Sequence, residues 1–205
     1  MFGNQNKLMK LIPFTIFAIL FVCIFVYAYR RGNKSQNNVI AASSKDGVRN
    51  NTQDNAYNGL RKQAIEITAG QLGLHLPDNQ LTVYGIVMDI GMSQGVATLI
   101  AYKTGDASLY LSTGGGIIGG GKYKAVIEAA QLFINAGQEF LKRANKAENT
   151  TVATKDTVKF YLLTNRGVYL LVEEIKKFDN NSSIYNSLFA DGNLLLTQLR
   201  SSGSH

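Results

Sequence analysis

Apolar positions recur along this chain in three different rhythms, and each predicts a different kind of element. From Leu11 to Tyr29 they are nearly continuous, and the stretch LIPFTIFAILFVCIFVYAY carries no charge. As a helix at ~1.5 Å per residue it spans ~28 Å, about the thickness of a hydrocarbon core. Pro13 falls in the first turn, where a missing N–H costs little. Tyr27 and Tyr29 sit at the far end as interfacial aromatics do, and Arg30 and Arg31 close the segment. The pattern predicts an uncleaved single-pass anchor over residues 1–31. A cleaved signal peptide would end near Val26-Tyr27-Ala28, but its apolar core is ordinarily only ~7–15 residues long. A lipoprotein would need a small residue before Cys23, where Val22 stands. Residues 32–57 then lose the rhythm. They are rich in Asn, Ser, Gly and Gln, with too little apolar surface to offset the entropy of ordering, which predicts a flexible polar linker.

The second and third rhythms alternate from residue 58 onward. Leu60, Ala64, Ile67 and Leu72 share a helical face over residues 58–73, with Gly73 as the stop. Three strand-like runs follow, Leu81–Ile90, Val96–Lys103 and Ala107–Ser112, separated by short turns that make antiparallel neighbours. A long amphipathic helix is expected from Lys122 to Lys146. Val126, Ala130, Phe133, Gly137 and Phe140 form its stripe, and Gly137 is placed to permit close approach. Val158–Thr164 and Val168–Glu173 flank Asn165-Arg166-Gly167, a hairpin signal. Ile184, Leu188, Leu195 and Leu199 predict one or two short helices, interrupted at Asp191-Gly192, before a frayed tail at 201–205. The fold class is α+β: a five-stranded antiparallel sheet packed by helices in the order α-βββ-α-ββ-α, occupying residues 58–200.

Composition narrows the chemistry. Among 205 residues there are 2 His, 1 Cys and no Trp, which excludes a disulfide framework and a Cys/His zinc site. Neither a catalytic constellation nor a metal or cofactor site is legible. The net charge is +7, and residues 1–57 hold seven of the 21 basic residues against two of the 14 acidic ones. The basic excess therefore belongs to the flanks of the apolar segment and the linker. That is a membrane-anchor footprint, and no nucleic-acid partner is expected. Lys7 and Lys10 flank one end, and Arg30, Arg31, Lys34 and Lys45 the other. Counting them leans slightly toward a cytoplasmic C-terminal domain on an inner-membrane protein.

The sharpest local feature is STGGGIIGGGKYK at residues 112–124. Gly116 to Lys122 fits G-x-x-x-x-G-K, and Gly114, Gly116 and Gly119 fit G-x-G-x-x-G. Glycine amides can converge on an anion, and a helix N-terminus adds partial positive charge. Gly114, Gly115, Gly116, Gly119, Gly120, Gly121 and Lys122 are thus candidate anion-binding residues. Against a nucleotide site, Tyr123 stands where a P-loop needs Ser or Thr, and the preceding strand belongs to a hairpin. Glu139 and Asp89 are poorly placed as its acidic partners. The competing reading is a tight strand-to-helix crossover in which Ile117 and Ile118 plug the core. His75, the pair Glu173-Glu174, and Ser112-Thr113 lack the neighbours that catalysis would require. The strand tyrosines Tyr84, Tyr102, Tyr110, Tyr161 and Tyr169 read as sheet residues.

The stretch ATLIAYKTGDASLYLSTGGGIIGGGKY, with VKFYLLTNRGVY and SLFADGNLLLTQLR, resembles a group of uncharacterised bacterial proteins sharing a strand, a glycine-rich loop and a helix. That resemblance covers residues 81–200 and implies no assigned activity. The element order is also loosely similar to roadblock and profilin-like domains, which are binding scaffolds. The three-then-two strand split departs from the roadblock order, so the likeness concerns class alone. These features point to a membrane-anchored, non-catalytic binding or scaffold domain with a protein partner. The alternative is an anion- or nucleotide-binding domain, with or without enzymatic activity, using residues 114–122.

Overall fold

The computed structural model describes residues 46–202. The anchor expected at residues 11–29, the first part of the linker and the last three residues of the tail lie outside the described residues. No helix among the described residues is long and apolar enough to cross a membrane.

The architecture is α+β, with helices on an antiparallel sheet. Helix α1 spans Asp46–Glu66. Strands β1 (Val83–Met92), β2 (Gly95–Tyr102), β3 (Ala107–Leu111) and β4 (Gly116–Ile117) follow. Then come α2 (Lys124–Phe140), β5 (Asn145–Lys146), β6 (Thr157–Thr164) and β7 (Gly167–Glu174). Helices α3 (Ile175–Asp179) and α4 (Asn186–Ser202) complete the chain. The sheet has seven strands, not five, in the order β4-β3-β2-β1-β6-β7-β5. The five expected strands are all present. The two additional ones, β4 and β5, are two residues long, too short for any alternation to mark them in a sequence.

The central strand β1 pairs antiparallel with both β2 and β6, so both of its edges are satisfied, and a hydrophobic cluster buries each of its faces. Ile86, Met88 and Ile90 point to the face covered by α2 and α4, meeting Leu99, Phe160, Leu162, Phe133, Leu188, Leu195 and Leu199 in the main core. Two glycines let the helices approach. A Cβ at Gly137 would stand 2.4 Å from Ile86 Cδ1, the close approach its place in the stripe predicts. A Cβ at Gly192 would stand 2.8 Å from Met88 Cε. Gly192 therefore does not interrupt a helix, as its pairing with Asp191 suggests, but sits inside the unbroken α4 because the sheet leaves no room for a side chain. Helix α2 stops at Phe140, short of Lys146, because Leu141–Arg143 tightens into a 3-10 turn and the chain then enters β5.

The opposite face carries Val87, Ile100, Tyr161 and Leu163, covered by Ala64 and Ile65 of α1 and by the segment after it. Helix α1 reaches back to Asp46, well into the stretch whose composition reads as linker, and Tyr57 is buried. Its contact face is Tyr57, Arg61, Ala64 and Ile65, spaced i, i+4, i+7, i+8 but half polar in character. The hydroxyls of Tyr102 and Tyr84 donate to the carbonyls of Ala64 and Ile67 at 2.8 and 2.9 Å, satisfying groups that a helix C-terminus leaves free.

Candidate binding sites

Three places gather enough chemistry to consider. The glycine run lies at the β4 edge of the sheet. Gly114 (φ 99°) and Gly115 (φ 84°) make the turn from β3 into β4, with the Gly114 amide donating to the Leu111 carbonyl at 2.9 Å. Gly116 pairs with Tyr110, and a Cβ there would stand 2.2 Å from the Leu109 carbonyl oxygen. Gly119 (φ 80°) turns the chain into the 3-10 turn Gly120–Lys122. A Cβ at Gly120 would lie 2.4 Å from Leu199 Cδ2, and one at Gly121 would lie 2.1 Å from Asp106 Oδ1. Each of the six glycines thus has a packing or backbone-conformation reason to be glycine. Ile117 packs against the core, but Ile118 is 69% exposed, so only one of the two isoleucines acts as a plug. The Lys122 ammonium lies 5.0 Å from the centroid of the Tyr123 ring. Lys124 meets Glu128 at 3.7 Å across one exposed helical turn. The seven residues are distributed over a turn, an edge strand and a 3-10 turn. Every pairing around them is antiparallel, without the parallel βαβ unit of a dinucleotide fold.

The second place is buried under α1. Asp89, in the middle of β1, is fully buried. The Arg61 Nε donates to both of its oxygens at 3.1 and 3.0 Å, and Nη2 to Oδ2 at 2.6 Å. Arg61 Nη1 donates to the Thr150 carbonyl at 2.6 Å, and its Cζ lies 5.3 Å from the Tyr161 ring centroid. The Thr98 hydroxyl donates to Asp89 Oδ1 at 2.6 Å, which commits its one hydrogen. The Tyr57 hydroxyl, 2.7 Å from Thr98 Oγ1, must therefore be the donor in that bond. The Tyr161 hydroxyl donates to the Thr151 carbonyl. Burial pushes the Tyr57 phenol up to about 12; the Thr98 bond opposes this and the Asp89 charge reinforces it. Among the described residues no buried side-chain nitrogen or oxygen lacks a partner, and no cluster of His, Cys, Asp and Glu is arranged to hold a metal. This network is closed. It offers no free base or nucleophile, and what it does is join α1, β1, β2 and the loop at 147–156.

The third place is the opposite edge, along β7. Only Tyr169 and Leu170 pair with β5, with Ala147 donating to the Val168 carbonyl at 2.9 Å just beyond. Gly167 and Thr164 close the β6–β7 hairpin, so alternate residues from Gly167 bond to β6, and Val168, Leu170, Val172 and Glu174 turn their main-chain groups outward. The Glu174 amide is taken by the Glu173 carboxylate at 3.1 Å. Val172 remains, 48% exposed, and among the described residues no strand lies against its outward N–H and C=O. Beside it lies a concavity of about 420 Å³ lined by Arg143, Lys146, Glu148, Leu170, Val172 and Tyr185, among others. The 3-10 turn Leu141–Arg143 leads into the two-residue β5, and Arg143 and Asn145 from this junction line the space. Tyr185 is set by an edge-on contact with Phe140, ring centroids 5.5 Å apart.

The remaining candidates are accounted for locally. Glu173 is buried and accepts from Lys177 at 2.8 Å and Ser183 at 3.1 Å. Burial alone would raise its carboxyl, but these bonds and the Glu174 amide outweigh it and hold the group below the usual range. Glu174 pairs with Lys176 at 2.7 Å. Ser112 accepts the Val96 amide at 2.8 Å, and His75 is exposed. No protein-family model matches the chain, and no curated protein or solved structure is significantly similar to it.

Proposed function

We propose that this chain is a membrane-anchored, non-catalytic binding domain that docks a protein partner along the β7 edge. The observation that carries the reading is the contrast in polar satisfaction. The buried polar side chains of the described residues all have partners within the fold, while Val172 presents an open main-chain edge next to a concavity with two cations. Residues 11–29 hold the domain at the inner membrane in a single pass, with the domain on the cytoplasmic side. A second reading, an anion held at residues 114–122, draws on Lys122, Lys124 and the start of α2, which has no side-chain cap.

Placing a photoreactive amino acid at Val172, and separately at Ala125 on the exposed face of α2, tests the main reading in the producing cell. A discrete protein adduct from Val172 and none from Ala125 is expected. Equal or absent labelling at Val172 would overturn it. Thermal unfolding with phosphate, sulfate and nucleotides tests the second reading. A stabilisation lost in Lys122→Ala would establish it, since a ligand at ~100 times its dissociation constant contributes about 2.7 kcal/mol.

A further inference from the structure

We infer that the occupant of the β7 edge is an extended acidic peptide segment, which adds a short strand against Val172 and places carboxylates on Arg143 and Lys146. This rests on the protein-docking reading above and specifies its ligand chemistry.

Three observations converge. The outward main-chain pair of Val172 offers one donor and one acceptor, the unit by which an extended peptide joins a sheet edge. The space is limited, because β5 already covers Tyr169 and Leu170 and the Glu174 amide is held by Glu173. The segment that binds is therefore short, and side-chain contacts must supply much of its affinity. Those contacts are cationic. Arg143 and Lys146 line the concavity, Lys142 is exposed next to Arg143, and none of the three takes part in an ion pair among the described residues. Among the described residues, Glu148 is the one acid lining the space. The acids of β7 itself are engaged, Glu173 with Lys177 and Glu174 with Lys176. Arg143 offers a planar fork suited to a carboxylate, and Lys146 a second charge. Val172, Leu170 and Tyr185 provide apolar surface for the alternate side chains of an extended strand.

Fluorescence anisotropy with the full chain in detergent micelles tests this, using labelled acetyl-Asp-Val-Glu-Val-Asp-amide and its Asn/Gln and Lys counterparts. The acidic peptide is expected to bind at least about tenfold more tightly than the neutral one, equivalent to ~1.4 kcal/mol. The double variant R143E/K146E changes two exposed side chains, and should abolish that preference or turn it toward the Lys peptide. Val172→Pro removes the outward N–H and should weaken binding of the acidic peptide while the preference for acid persists. Equal affinity for the three peptides, or acidic binding untouched by R143E/K146E, would overturn the inference. If Val172→Pro fails to fold, the charge-reversed variant alone decides. An adduct from the photoreactive residue at Val172 together with no acidic preference would leave docking standing and remove the acidic ligand. No adduct and no preference would remove both.

Discussion

The protein holds two concentrations of polar groups, and they differ in one respect. Under α1, Asp89, Arg61, Thr98 and Tyr57 form a cluster in which each donor meets an acceptor, Arg61 reaching on to Thr150. At the β7 edge, Arg143, Lys146 and the main chain of Val172 face a concavity with no strand or ion-pair partner for them among the described residues. A closed cluster is architecture, because its free energy is already spent on holding elements together. An open one retains hydrogen-bonding and charge capacity for something outside the fold. The contrast also qualifies the glycine run, whose composition suggests a ligand while its glycines answer to packing and turn geometry.

The largest effect should come from breaking the closed cluster. Asp89→Ala leaves Arg61 charged and buried without its carboxylate, and removing one partner of such a pair costs about 3–5 kcal/mol. Urea unfolding of the full chain should show that loss. Arg61→Lys should recover only part of it relative to Arg61→Ala, because a lysine cannot reproduce the fork of Nε and Nη2 on one carboxylate. An unchanged midpoint would mean that α1 contributes little to the domain. Gly120→Val comes next. Its Cβ alone would already meet Leu199, Val126 and the Ala107 carbonyl, and overpacking of this kind costs roughly 1–3 kcal/mol. A neutral result there would reopen the glycine run to a binding role.

A smaller effect follows from the Tyr57 phenol. Its folded pKa lies above its ordinary value of 10.0, at about 12. The stability tied to it is intact below pH 10 and drains as pH rises through the interval up to about 12, where the unfolded chain ionises first. Tyr57→Phe should flatten that part of the alkaline unfolding profile, with tyrosinate absorbance as the readout. The smallest expected effect is that of Lys122→Ala, which removes an exposed side chain lying over Tyr123 and should leave the melting temperature where it was.

Much of the fold was readable from residue patterns, and the unreadable parts share a cause. Strands β1, β2, β3, β6 and β7 declare themselves through runs of β-branched and aromatic residues between turn signals, and α2 through its stripe. Strands β4 and β5 carry no such signal because two residues hold no period. The start of α1 was hidden because that helix is polar on nearly every face and docks through Arg61 and Tyr57. Gly192 looked like a break because sequence alone does not reveal a sheet pressed against a helix. Of the closed cluster, Asp89 was visible only as an acid poorly placed to partner the glycine run, and Arg61 has no local mark. The open edge left no trace at all, since it arises from a strand that begins only at Asn145, after the 3-10 turn Leu141–Arg143.

The most direct test of the contrast is residue-resolved amide hydrogen exchange on the full chain, with and without the acidic peptide. The Val172 amide should exchange freely in the protein alone while its neighbour Leu171, bonded to β6, is protected. Added peptide should slow Val172 and leave the strand residues Asp89 and Thr98 as they were. A Val172 amide already protected in the free chain, or one that stays fast when the peptide is bound, would contradict the account.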